Sequence, residues 1–160
     1  MQIRLLPLCH DNSYSEEDLF PFAKREDGTY DFNKYDEEYF NNVEVSLEKA
    51  YEYGITVCLH LLWVNYIPNT WASSKKTSLP YDSMEPLYTY IINSYKKYEP
   101  IYAASSDIRF ECQKVINYCL KVMKIVKLND PEGLCTLHLA PNEDPPQVIL
   151  SSPYYDFYTF

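Results

Sequence analysis

Seven polar or aromatic residues lie at or just beyond the ends of segments that have the pattern of buried strands. They are His10, Asp11, Trp63, Asn65, Trp71, Asp107 and His138. Carboxylates transfer protons, amide and imidazole groups hydrogen-bond to hydroxyls, and aromatic rings stack on the apolar faces of sugars. Cleavage of a glycosidic bond needs one carboxylic acid that protonates the leaving oxygen and a second carboxylate opposite to it. The set therefore predicts a carbohydrate site.

Asp107 is the best single candidate for the acid. It follows an apolar strand-like segment, where burial would favour the protonated carboxyl that a general acid must have. The same position also fits an aspartate that merely begins the turn into the next helix, since aspartate is common in turns. Spacing alone does not separate these two interpretations.

Other common site chemistries lack their motifs. The chain has three glycines and contains neither GxGxxG nor GxxxxGK[ST], which argues against a nucleotide cofactor. No GxSxG elbow is present. His10, His60 and His138 lack HExxH spacing, so we expect no metal site and no cofactor, and we interpret His60 as a satisfied core residue within a strand.

Strand-like apolar segments alternate along the chain with helix-like segments. The predicted strands cover residues 2–8, 55–63, 100–106, 134–139 and 155–160. The first helix is predicted to begin at Asn33 as its N-cap and to end at Gly54. A second helix follows Ser83, a third covers residues 111–128, and a short turn covers residues 147–151.

This alternation predicts an α/β fold with parallel strands joined by right-handed crossovers. The long polar segments follow the carboxyl ends of strands, which places a site at that edge of the sheet. Barrels and doubly wound sheets both have this arrangement. The missing phosphate loop disfavours the doubly wound alternative.

Composition limits the class of ligand. The net charge is −9 and the pI is about 4.7, so the chain lacks the clustered cations that hold a phosphate backbone, and we expect no nucleic acid partner. The 17 tyrosines among 160 residues suit either sugar rings or a tyrosine-rich core. The expected ligand is neutral or cationic.

Cysteine usage and hydropathy bear on the compartment. Five cysteines without CxxC pairs fit a reducing cytoplasm. No apolar stretch approaches the ~20 residues that span a bilayer, and no signal peptide is recognisable at Met1. We therefore expect a cytoplasmic chain without membrane contact, as the sequence stands.

Several segments, in their order and spacing, resemble the apiosidase-like glycoside hydrolases, a TIM-barrel family. The likeness covers nearly the whole chain. The segments are Leu-Leu-Pro-Leu (5–8), Tyr-Asp-Phe-Asn-Lys-Tyr-Asp-Glu-Glu-Tyr-Phe (30–40), Ala-Tyr-Glu-Tyr-Gly-Ile (50–55), Leu-Leu-Trp-Val-Asn-Tyr-Ile-Pro-Asn-Thr-Trp (61–71), Pro-Ile-Tyr-Ala-Ala-Ser-Ser-Asp (100–107), Leu-Cys-Thr-Leu-His-Leu (134–139) and Ser-Pro-Tyr-Tyr-Asp-Phe-Tyr-Thr-Phe (152–160).

The resemblance implies that residues 1–160 form a single, incomplete (β/α)8 barrel from about the second strand to the sixth. It implies that Asp107 is the acid/base carboxylate at the end of the fourth barrel strand. It also implies that the sugar pocket is lined by Trp63, Asn65, Trp71 and His138. Family members usually have glycine before that aspartate, whereas this chain has Ser106.

A full barrel takes about 250 residues, and the partner carboxylate of such enzymes follows a later strand, which would lie beyond Phe160. Met1 falls where the family still has an upstream strand and helix, which suggests a shortened reading frame. We therefore expect a fragment of a hydrolase of plant-type or other complex carbohydrate that is inactive alone. Open sheet edges predict self-association.

Two other hypotheses remain open at this point. The chain could be a non-catalytic carbohydrate-binding or interaction protein, or it could be a decayed gene product without activity. In-frame codons for the missing strands in the flanking DNA would decide between a fragment and an intact small protein.

Overall fold

Four short parallel strands form the centre of the molecule. The computed structural model describes residues 1–7, 20–73 and 78–159. In this part of the chain, β1 (Gln2–Arg4), β4 (Cys58–His60), β5 (Ile101–Ala103) and β6 (Cys135–Thr136) form one sheet in the order β1-β4-β5-β6. All three pairings are parallel. The predicted α/β class and parallel sheet are confirmed, although the strands are shorter than predicted.

Helices connect these strands. They are α1 (Glu37–Glu52), α2 (Met84–Tyr95), α3 (Gln113–Asn129) and the short α4 (Gln147–Leu150), with 3-10 turns at Val64–Tyr66, Tyr81–Ser83 and Lys96–Tyr98. Each strand of the sheet pairs with the next one along the chain, without the reversal of order that marks a doubly wound sheet. The sheet is therefore an arc of a (β/α) barrel.

The two faces of this arc differ. Register pairs Ile3 with Leu59, Leu59 with Tyr102 and Tyr102 with Cys135, so these side chains share one face. With the apolar sides of α1, α2 and α3 they form the core. Arg4, His60, Ala103 and Thr136 share the opposite face, which corresponds to the inside of the barrel. That inner face carries the polar groups.

An antiparallel hairpin precedes α1 and was not predicted. It consists of β2 (Phe22–Lys24) and β3 (Tyr30–Tyr35). Its turn is at the Asp27-Gly28 pair, where Gly28 has a φ of 78° and the Asp27 carboxylate accepts hydrogen bonds from Thr29. The hairpin forms because Phe22 and Phe32 bury their rings against each other at 4.8 Å.

The predicted start of α1 at Asn33 is wrong, because Asn33 lies within β3. The N-cap is Asp36, whose Oδ1 accepts a hydrogen bond of 2.9 Å from the Tyr39 amide. Glu37 and Glu38 then occupy the first turn, where the helix dipole favours negative charge. The N-cap was therefore placed three residues early.

The predicted fifth strand at 155–160 is also wrong: residues 155–159 lie beside β6 but form no regular ladder. The Asp156 amide donates to the Cys135 carbonyl at 2.9 Å. The Cys135 amide donates in turn to the Asp156 carboxylate at 2.6 Å. The Asp156 carboxylate thus accepts the hydrogen bond that a backbone carbonyl would accept in a regular strand. Residues 155–159 therefore cover the edge of β6 without forming a strand.

Candidate active site

Asp107 lies in the segment that follows β5, between one residue that pairs beyond β4 and one that pairs beyond β6. Before it, Ser106 forms a parallel bridge with Trp63 beyond β4, and after it, Ile108 forms one with Leu139 beyond β6. Between these two anchors, Asp107 has a φ of 48°, in the left-handed region that aspartate tolerates better than most residues. Such conformations cluster at functional sites.

The carboxylate of Asp107 faces His138. Asp107 Oδ1 lies 3.6 Å from His138 Nδ1, and the two side chains are 35% and 39% exposed, respectively. The structure therefore brings these two predicted site residues together at the carboxyl end of the sheet. The Asp107 side chain is thus partly buried rather than fully buried.

The other predicted sugar-binding residues are placed differently. Trp63 and Asn65 are buried, at 4% and 0% exposure, and the guanidinium carbon of Arg4 lies 5.5 Å from the centre of the Trp63 ring. Trp71 is 57% exposed but does not line the cavity at Asp107. His10 and Asp11 lie outside the described residues.

A cavity of about 480 Å³ opens beside Asp107 and His138. Its other walls are residues 139–144, with Tyr158 and Thr159. Glu143 and Asp144 add two carboxylates to the lining, and the Tyr158 hydroxyl donates a 2.9 Å hydrogen bond to Asp144 Oδ1, which raises the pKa of Tyr158. Sequence reasoning missed these acids, although they also follow the carboxyl end of a predicted strand.

His60 lies buried within a strand, as predicted, but it is next to this site and only one of its ring nitrogens is satisfied. Its Nδ1 shares a hydrogen bond with Ser106 Oγ, and its ring centre lies 5.4 Å from that of His138. Its Nε2 is buried without a hydrogen-bond partner among the residues that the structure describes. Burial, followed by the electrostatic effects of the neighbouring His138 and Arg4, lowers the pKa of His60 to about 4. The imidazole is therefore neutral near pH 7.

The proximity of the two histidines predicts a measurable coupling. In the variant His138→Gln, we expect the pKa of His60 to rise above 4 and to stay below 6.5, because the electrostatic effect of His138 is removed while burial persists. Histidine ring chemical shifts, followed by NMR as a function of pH, measure this value. His138→Lys introduces a permanent positive charge and should leave the pKa of His60 low. An unchanged pKa in His138→Gln would contradict the coupling.

The described residues offer neither a metal-binding group of side chains nor a membrane-spanning helix. Within residues 1–7, 20–73 and 78–159, no three histidine, cysteine, aspartate or glutamate side chains are grouped so that they could hold a metal ion. None of the helices in these same ranges is long and apolar enough to cross a membrane.

Comparisons with known proteins agree with the fold. The family model described as "Apiosidase-like, catalytic domain" matches residues 2–160. The fold is similar to the crystal structure of a candidate glycoside hydrolase from Bacteroides vulgatus ATCC 8482, with a TM-score of 0.68 and 18% sequence identity. The alignment covers 96% of this chain and 31% of that chain. No curated protein matches.

Proposed function

Because the chain belongs to the family of apiosidase-like glycoside hydrolase catalytic domains, we propose that it is part of an enzyme that cleaves glycosidic bonds in complex carbohydrates. The observation that carries the proposal is the position of Asp107, which faces His138 on a cavity at the carboxyl end of the parallel sheet. Sites of (β/α) barrels lie at this end.

In this proposal Asp107 protonates the leaving oxygen of the glycosidic bond. It is the carboxylate that emerges directly from the end of a sheet strand, and its turn is anchored by bridges on both sides. A rigid support holds an acid within reach of the oxygen that it protonates. His138 Nδ1 lies 3.6 Å from Asp107 Oδ1, which is beyond hydrogen-bonding distance, and in this proposal the imidazole hydrogen-bonds to a sugar hydroxyl.

The second carboxylate is proposed to come from a part of the barrel outside this chain. The chain spans 31% of its structural neighbour, and hydrolysis needs a carboxylate on the opposite side of the sugar. Glu143 and Asp144 share the cavity with Asp107, but Asp144 is exposed and bonded to Tyr158. We therefore expect residues 1–160 alone to bind sugar weakly and not to hydrolyse it.

The proposed substrate is an oligosaccharide or polysaccharide whose sugar at this site is neutral or cationic. Among the residues that the structure describes, three carboxylates and no lysine or arginine line the cavity, and the whole chain has a charge of −9. An anionic sugar would be repelled by this field.

We further propose self-association through the open side of β1. One edge of β1 pairs with β4, and in the described residues no strand pairs with its other edge. An edge of this kind presents unpaired amide and carbonyl groups. Residues 155–159 protect the opposite edge at β6.

A turnover assay tests the functional proposal. The isolated chain is incubated with 4-nitrophenyl glycosides of neutral pentoses and hexoses and with plant cell-wall polysaccharides, with Asp107→Asn as the matched control. We expect no product above that control. Hydrolysis that is lost in Asp107→Asn would contradict the need for an external carboxylate, and Glu143→Gln and Asp144→Asn would then locate the second acid.

A further inference from the structure

The turn that carries Asp107 contains no glycine, although its backbone enters the left-handed region. The Ser106 amide donates to the Leu62 carbonyl at 2.9 Å, and the Ile108 amide donates to the His138 carbonyl at 3.4 Å. Between them Asp107 has a φ of 48°. A residue with a Cβ is less stable there than glycine. The surrounding contacts must therefore hold this conformation.

One side-chain hydrogen bond joins this turn to the neighbouring strand. His60 Nδ1, at the end of β4, is bonded to Ser106 Oγ, directly before Asp107. The two residues are only 4% and 1% exposed, so water does not compete effectively for the bond. The bond therefore anchors Ser106, the residue directly before the turn.

His60 also supports the other side of the carboxylate. Its ring lies 5.4 Å from the ring of His138, whose Nδ1 is 3.6 Å from Asp107 Oδ1. A change at His60 thus acts on Asp107 by two routes, through the backbone of Ser106 and through the imidazole of His138. His60 itself does not line the cavity, so it acts through its neighbours rather than on a sugar.

We propose that His60 and Ser106 form a positioning pair that fixes the backbone turn of Asp107 and so directs its carboxylate into the cavity. The functional meaning of the pair rests on the proposed role of Asp107, but the conformation can be measured without any enzymatic activity. The ionisable groups that face His60 are Arg4 on β1 and His138 beyond β6. They help to keep its pKa at about 4, so the bond joins neutral partners above pH 5.

NMR of the isotopically labelled chain tests the pair. The Cα shift and the intraresidue HN–Hα NOE of Asp107 report its φ, and we expect left-handed values, including a strong NOE from the short HN–Hα distance at positive φ, in the unmodified chain. In His60→Leu both should move to coil-averaged values. Asparagine places its amide near the position of Nδ1, so His60→Asn should restore the left-handed values. Glutamine places its amide near Nε2, so His60→Gln should not restore them.

Two further variants keep the test decisive. Ser106→Ala removes the hydroxyl with little change in volume, and Asp107 should lose its left-handed values in this variant too. It therefore provides the test if His60→Leu folds poorly. Cys58→Ser lies on the same strand and the same inner face and should leave Asp107 unchanged. Left-handed values of Asp107 that persist in folded His60→Leu or Ser106→Ala would overturn the proposal, as would their absence from the unmodified chain.

The proposed function can fail independently of this result. If the unmodified chain shows the left-handed turn, and His60→Leu loses it, the pair is established as a positioning device. If sugars then produce no response at Asp107 or His138, the carbohydrate role is refuted while the pair stands. The two outcomes are read from different signals of the same samples.

Discussion

Replacing Asp107 by asparagine is expected to lower glycoside hydrolysis about 10²- to 10⁴-fold in any form of the barrel that has measurable activity. Asparagine matches aspartate in shape and also tolerates the left-handed backbone, whose φ is 48° at this position. It cannot, however, donate the proton that the leaving oxygen needs. The loss should appear in kcat, because proton donation acts in the transition state rather than in binding.

Two controls sharpen this prediction. Asp144→Asn removes a carboxylate from the same cavity but one that is bonded to Tyr158, and it should change kcat only a few-fold. Activated aryl glycosides, whose leaving groups need little protonation, should lose much less rate in Asp107→Asn than alkyl glycosides do. Equal losses for both substrate classes would contradict the role of Asp107 as the acid.

The second large effect concerns Asp156, which covers the edge of β6. Its Oδ2 accepts the Cys135 amide at 2.6 Å and lies 2.7 Å from Lys127 Nζ. The Lys127 and Asp156 side chains are 16% and 28% exposed. In Asp156→Ala we expect the free energy of unfolding to fall by about 2–3 kcal/mol, because a charge-assisted bond is lost and an amide is left without its partner.

The same substitution should promote association. Without the carboxylate, the Cys135 amide on the edge of β6 is available to another chain. Urea denaturation measures the stability, and light scattering coupled to size exclusion measures the mass. Glu52→Ala breaks an exposed ion pair with Lys49 and should change neither the free energy of unfolding nor the mass in solution by much. A monomeric Asp156→Ala of unchanged stability would show that this edge is protected in another way.

The sheet was predictable because each strand lies in an apolar run between long polar segments. The rule that a barrel site lies at the carboxyl ends of strands also sufficed to place Asp107 and His138 at one rim. It could not predict that Asp107 would be about one-third exposed. Nor could it predict the φ of 48° at Asp107, which lies between bridges to two different neighbours.

Side chains whose orientation depends on tertiary contacts were harder to predict. Trp63 is buried, and its ring is covered by Arg4 from β1, a contact between residues 59 positions apart in sequence. Its place in the sugar pocket stays a prediction. His60 was assigned to the core because an apolar run does not reveal which of its alternate residues face the helices. Register shows that it faces inward with Arg4 and Ala103.

The hairpin was missed for a local reason. Residues 30–33 alternate aromatic and polar side chains, which is a strand pattern, but an acidic helix start follows within three residues. Asn33 therefore looked like the beginning of that helix. Tertiary packing of Phe32 against Phe22 decides in favour of the strand.

The most direct test of the account is a map of backbone amide shifts while xylo-, arabino- and galacto-oligosaccharides are titrated into the isolated chain. The account predicts that at least one of these sugars saturably shifts the amides of residues 105–108, 138–144 and 158–159, around Asp107 and His138. Shifts confined to the opposite end of the sheet, at Thr56, Glu99 and Gly133, or no shifts with any of the three sugars, would contradict it.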